Sequence, residues 1–262
     1  MQKRPTGTRL RLICLCLCLC LCFCLYLYLY LYLCLLLRAP RNAVCDAHRM
    51  LTLRPFMPPR RAVFIDQDGT LVENVPNNVD PELLRCRPAA LLALAALARA
   101  GFALLLATKQ SGLAHRYFTR RQFSRLQSAL EQRLQDEGGI ELLDVLVCPH
   151  APGPDGAPAC LCRKPTPGML TRAARMHGLE LAESWMVGDT LDDVEAGRRA
   201  GCRTVLLDSG GETLWKQSPL RTPHACLQDW DEVVHVITAD SQGRRNPCRG
   251  RLNSPVAVSQ AG

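Results

Sequence analysis

Outside its two ends the chain has no surplus of positive charge. Residues 61–240 carry 19 Lys and Arg against 23 Asp and Glu, a net of −4, whereas residues 1–60 carry +8 and residues 241–262 carry +4. A nucleic-acid binder stripes basic residues over its folded part. Here they are confined to the ends, so nucleic acid is not an expected partner. Residues 13–37 lack charge altogether: 25 apolar residues read as Leu-Cys and then Leu-Tyr repeats, with Arg9 and Arg11 before them and Arg38 and Arg41 after. About 20 apolar residues span a bilayer, so the length admits a membrane anchor. No small-residue cleavage site follows, which disfavours a secretory signal. So strict an alternation is also what a short tandem nucleotide repeat encodes, in a reading frame extended upstream of a true start at Met50 or Met57. Both readings stay open, and a membrane is a partner only if residues 13–37 are genuine.

The cysteines lack the even spread of a disulfide framework. Seven of the 15 fall in the repeat, leaving Cys45, Cys86, Cys148, Cys160, Cys162, Cys202, Cys226 and Cys248. Three of these eight gather around a histidine in "CPHAPGPDGAPACLC", a pattern that suits a metal and a reducing, cytoplasmic setting. Cys148, His150, Cys160 and Cys162 form two close pairs separated by a nine-residue loop. Four soft or borderline ligands in that arrangement match a closed tetrahedral Zn²⁺ site, with no position left for an activated water. The loop "APGPDGAPA" has almost nothing to bury, so it needs such a clip.

From residue 61 onward, short apolar runs alternate with longer stretches of helical period. The pattern predicts strands over 61–66, 102–108, 143–148, 184–188 and 203–208, and helices over 88–100, 119–137, 167–178, 191–200 and 229–238. Nearly continuous apolar strands are those of a parallel sheet covered on both faces. Gly101, Gly178 and Gly201 stand just past predicted helices, where a left-handed residue is wanted. The expected fold is α/β, a doubly wound, mostly parallel sheet. The expected division is an apolar extension over 1–56, a catalytic domain over 57–240 with a zinc loop at 148–162, and a disordered tail over 241–262.

A doubly wound sheet binds ligands beyond the carboxyl ends of its strands. Those ends hold Asp66 and Asp68, then Thr108, then Cys148 and His150, then Asp189, with Lys164 after the zinc loop. Buried carboxylates at a strand end are costly unless a cation meets them. Three carboxylates and a lysine in one crevice call for a divalent ion, and hard oxygen ligands favour Mg²⁺. Phosphoryl transfer needs that set: cations on the non-bridging oxygens and a nucleophile in line.

The stretches "DQDGTL", "TKQSG", "RKPTPGM" and "GDTLDD" resemble, in order, the four motifs of the haloacid dehalogenase superfamily. The insert "CPHAPGPDGAPACLCRKP" is similar to that of its heptose 1,7-bisphosphate phosphatases, with histidinol-phosphate phosphatases as near neighbours. The resemblance covers roughly 180 residues and excludes both ends. It implies a minimally capped fold of haloacid dehalogenase type and a phosphoric monoester hydrolase acting on a small sugar phosphate. In that reading Asp66 attacks phosphorus and Asp68 serves as acid and then base. Asp66, the Asp68 carbonyl and Asp189 hold Mg²⁺, with Asp193 supporting them, and Thr108 and Lys164 clamp phosphoryl oxygens. Gly69 permits the turn after the aspartates and Thr70 bonds back to hold them.

Two positions depart from the family's pattern: Gln67 stands where Arg is expected and Lys109 where Asn is expected. The segment "VENVPNNVDPE" also differs. All three are expected to border the substrate, and Lys109 adds a charge suited to a second phosphate. Gln110, Ser111, Arg163 and Thr190 are the other candidate substrate contacts. The expected substrate is a sugar phosphate of lipopolysaccharide-core or nucleotide-sugar precursor synthesis and the expected state a monomer. Histidinol phosphate is the alternative substrate, and a catalytically degenerate, membrane-tethered relative is the non-enzymatic alternative.

Overall fold

A computed structural model describes residues 60–208 and 218–241. The proposed extension over 1–56 lies outside the described residues, as does the proposed tail apart from Ser241. Six parallel strands, β1 (Ala62–Ile65), β2 (Ala103–Lys109), β3 (Asp144–Cys148), β4 (Trp185–Gly188), β5 (Arg203–Leu207) and β6 (Ala225–Leu227), form one sheet in the order β3-β2-β1-β4-β5-β6. The order reverses between β1 and β4, the place where a doubly wound sheet opens a crevice. Helices α1 (Ala90–Arg99), α2 (Arg120–Gly138), α3 (Gly168–His177), α4 (Leu191–Ala200) and α5 (Trp230–Ser241) cover the faces. Five expected strands and five expected helices are present. β6 was not expected, because three residues are too few to show a period.

Alternation along the strands divides the core. Val63, Ile65, Leu104, Leu106, Val187 and Val205 pack on one face with Leu94 and Leu97 of α1, Leu130 and Leu134 of α2 and Trp230 and Val233 of α5. Ala62, Phe64, Leu105, Ala107 and Met186 point the other way, toward Met169, Leu170 and Ala173 of α3. Each fully buried leucine contributes about 1.5–3 kcal/mol relative to exposure, so a one-residue slip would move a whole row of such side chains to the wrong face.

Caps set the helix ends near the site. Thr119 and Gln122 form a capping box at the start of α2, and Thr190 and Asp193 form one at the start of α4. Gly101, Gly178 and Gly201 have φ of +87°, +65° and +89° as expected, and Gly139 joins them at +59°. Between β1 and α1 the chain makes only a small excursion: Val72 bridges Cys86 antiparallel, with Glu73 N–H donating to the Arg85 carbonyl at 2.9 Å. No helix among the described residues is long and apolar enough to cross a membrane.

Candidate active site

The Asp66 N–H donates to the Val187 carbonyl at 2.9 Å, which ties the end of β1 to the end of β4. Continuing the alternation of β1, Asp66 leaves on the Phe64 side and Gln67 on the Ile65 side. Gln67 is therefore buried, and its carbonyl oxygen accepts from the Gln127 side chain of α2. The expectation that Gln67 borders the substrate is corrected: it lies in the core, away from the cleft.

Gly69 (φ +89°) turns the chain, and a Cβ there would stand 2.1 Å from Asp189 Oδ2. Only a hydrogen leaves room for that carboxylate. The Thr70 hydroxyl donates to Asp189 Oδ1 at 3.2 Å, so it holds Asp189 rather than Asp66 or Asp68. Trp230 of α5 donates through Nε1 to the Thr70 carbonyl at 3.2 Å and pins the same turn from the core.

Lys164 is the buried cation that the aspartates require. Its Nζ donates to Asp66 Oδ1 and to the Ala107 carbonyl at 2.5 Å, and it forms an ion pair with Asp193 Oδ1 at 2.6 Å. Burial alone would push the ammonium pKa down, but Asp193 and Asp66 outweigh it and the net shift is upward. Burial opposes ionisation of Asp193, yet Lys164 holds its pKa below the ordinary carboxylate range. Asp66, Asp189 and Asp193 bring carboxylate oxygens within 4.8 Å of one another. One ammonium does not offset three such groups. Burial, then the charges of Asp66 and Asp193, push Asp189 up to about 7. Burial and the Asp66 charge push Asp68 up to about 6. A cluster of hard oxygen donors short of positive charge fits a divalent cation.

Gln110 Nε2 donates to Asp68 Oδ2 at 2.8 Å and to Thr108 Oγ1 at 2.9 Å, so Gln110 orients Asp68. A cleft of about 300 Å³ opens above these groups, with Asp66, Asp68, Asp189, Lys109, Ser111 and Thr190 on its wall. The Thr190 hydroxyl is committed to Asp193 Oδ2 at 2.6 Å. Thr108 and Lys164 are buried below the cleft, and Arg163, which donates to the His150 carbonyl at 3.2 Å, does not line it. Asn74, Asn77 and Asn78 do line it. Sequence reasoning singled out their segment but not these three side chains, because nothing local shows which residues of an irregular stretch turn inward.

The cysteine cluster assembles as its spacing requires. Cys148, Cys160 and Cys162 sulfurs stand 3.7, 3.2 and 3.4 Å apart, and His150 Nδ1 lies 3.2 Å from Cys162 and 3.7 Å from Cys148. A tetrahedron with Zn–S bonds of about 2.3 Å has S–S edges of about 3.8 Å, so the donor set is near the size of a zinc site. The loop is braced: Thr166 donates to the Leu161 carbonyl at 2.7 Å, and a Cβ on Gly168 would stand 1.9 Å from that same oxygen.

The HAD-hydrolase-like family model matches residues 161–233. A D-glycero-beta-D-manno-heptose-1,7-bisphosphate 7-phosphatase of Mesorhizobium japonicum is 34% identical over 197 residues, 74% of this chain and 88% of its own. The enzyme of that name from Helicobacter pylori is 32% identical over 179 residues, 68% of this chain and 97% of its own. Among solved structures, a HAD-like phosphatase of Mesorhizobium loti aligns with a TM-score of 0.59 at 33% identity, covering 73% of this chain and 91% of its own. The D,D-heptose 1,7-bisphosphate phosphatase of B. bronchiseptica, complexed with magnesium and phosphate, aligns with a TM-score of 0.57 at 28% identity, covering 69% and 99%. The chain spans these relatives almost end to end at 32–34% identity, and it belongs with them to the heptose 1,7-bisphosphate 7-phosphatase family of haloacid dehalogenase-type phosphatases.

Proposed function

We propose that the chain is a Mg²⁺-dependent phosphatase that removes the 7-phosphate of D-glycero-D-manno-heptose 1,7-bisphosphate through an aspartyl-phosphate on Asp66. The observation that carries this reading is the crowding of Asp66, Asp189 and Asp193 beside a cleft, with a single buried ammonium paired to Asp66 and Asp193. An Asp66 oxygen attacks phosphorus, the bond from phosphorus to the ester oxygen breaks, and Asp68 gives its proton to the departing alkoxide. Asp68, now a carboxylate, takes a proton from the water that attacks the acyl phosphate. The bond from phosphorus to Asp66 breaks and inorganic phosphate leaves. A group held near 6 is suited to both transfers near neutrality. Gln110 keeps it aimed. Mg²⁺, when bound by Asp66, Asp189 and the Asp68 carbonyl, supplies positive charge to the non-bridging oxygens.

Lys164 holds Asp66 and Asp193 in register from below rather than reaching into open space. The asparagines of the cleft wall suit a hydroxyl-rich ligand, and the relatives' names supply the sugar. Zn²⁺ on Cys148, His150, Cys160 and Cys162 is proposed as structural, and its thiolates suit a reducing cytoplasm. The test is phosphate release from heptose 1,7-bisphosphate with and without Mg²⁺, alongside Asp66→Asn. Release that needs both Mg²⁺ and Asp66 supports the reading; an Asp66→Asn protein as fast as its parent overturns it.

A further inference from the structure

Lys109, the last residue of β2, is the one cation among the described residues that line the cleft. Lys164 is consumed by Asp66, Asp193 and the Ala107 carbonyl. The carboxylate paired with Lys109 is that of Asp192 at 3.8 Å, beyond hydrogen-bond length. Asp192 is held more closely from the other side, by Arg221 Nη2 at 2.9 Å. Arg221 Nε donates to Glu195 Oε2 at 2.7 Å, and Glu195 also takes Arg199 Nε at 2.8 Å. From the cleft outward the charges alternate: Lys109, Asp192, Arg221, Glu195, Arg199. The loosest link is the one at the cleft. Lys109 is therefore the member of this series least tightly held by its partner, because Arg221 holds Asp192 more closely.

We propose that Lys109 binds the phosphate that is not being transferred, and that Asp192 and Arg221 are positioning residues that govern how freely it does so. This rests on the sugar-bisphosphate reading above. The transferred phosphate is provided for by the aspartate crevice, whereas a second phosphate brought into a cleft lined by Asp66, Asp68 and Asp189 needs its own cation.

The experiment measures kcat and KM for heptose 1,7-bisphosphate and for heptose 7-phosphate in the wild type, K109N, R221M, D192N and the D192N/R221M double variant, with thermal midpoints alongside. K109N is expected to raise the bisphosphate KM several-fold more than the monophosphate KM. R221M moves the ratio in the same direction, because Asp192 without Arg221 draws Lys109 to itself, while Glu195 keeps Arg199. D192N lowers the bisphosphate KM relative to the monophosphate KM, and the double variant follows D192N rather than R221M. That rescue is one a merely structural arginine does not produce. Equal effects on both substrates in K109N, or a double variant worse than R221M, overturns the proposal. If the wild type releases no phosphate from the bisphosphate, the substrate reading falls and this one with it; if it does and the ratios stay level, only the role of Lys109 falls.

Discussion

Lys164 and Asp193 meet at 2.6 Å with neither side chain exposed, 29 residues apart in sequence, one following the cysteine loop and the other in the first turn of α4. Removing one partner of a buried pair leaves an uncompensated charge, which costs about 3–5 kcal/mol. Lys164→Met orphans both Asp66 and Asp193. Chemical denaturation is expected to register a loss of that size, with Mg²⁺ returning part of it, and kcat to fall about 10²-fold or more as the nucleophile loses its alignment. A variant as stable and as fast as the wild type would remove Lys164 from the site.

The raised carboxylates give the metal-free protein a pH signature. A group whose folded pKa lies above its unfolded value stabilises fully below the unfolded pKa and loses that contribution as pH rises through the folded pKa. Asp68, near 6, and Asp189, near 7, should therefore make the metal-free chain less stable as pH climbs from about 4 to about 7. Asp189→Asn removes its share of the slope, so the difference between the two stability curves isolates it. Saturating Mg²⁺ should reverse the trend, because it binds the ionised form. A difference curve flat across that window contradicts the crowding argument.

The sheet was legible in the sequence because its strands are short apolar runs ending at the residues that carry chemistry, and period-two alternation in 62–66 already puts Asp66 and Asp68 on one side. The same alternation sends Gln67 to the other side, into α2, but its partner Gln127 is 60 residues away and leaves no local mark. Thr70 and Asp189 are separated by 119 residues, and Arg221 and Asp192 by 29. Motifs show which residues gather at the site. They do not show which side chain each one grips, since that depends on packing between elements remote in sequence.

Gly69→Ala tests the closest approach in the site. The added methyl would overlap Asp189 Oδ2, and φ of +89° disfavours any L side chain. Backbone strain of this kind costs about 1–2 kcal/mol, a modest loss of stability. The larger effect is expected in Mg²⁺ activation: the half-saturating concentration should rise at least tenfold as Asp189 is displaced. A wild-type Mg²⁺ titration curve would show that Asp189 has room to spare.

Trp230 reaches Asp189 through Thr70, across 160 residues to the Thr70 carbonyl. Trp230→Phe keeps most of the packing and deletes the indole donor, leaving a buried carbonyl short of a partner at about 1–3 kcal/mol. The expected split is informative: Mg²⁺ affinity should weaken several-fold while KM at saturating Mg²⁺ moves little. Loss of stability alone, with Mg²⁺ activation intact, would confine Trp230 to the core.

Cys162 stands two residues before Lys164, so whatever fixes the sulfurs also fixes the ammonium. Arg163 between them donates its N–H to Cys160 Sγ at 3.2 Å, and Gly168 leaves no space for the loop to shift toward α3. Native mass spectrometry is expected to find one zinc per chain, lost in Cys160→Ser. Because all four donors come from the protein, a zinc held there would have no open position for chemistry. Its removal should therefore lower kcat only through Lys164, with proteolysis newly cutting within 148–162 and the KM for Mg²⁺ rising in parallel as Asp66 loses its partner. A zinc-free protein with a protease-resistant loop and full turnover would leave the four ligands without a structural role.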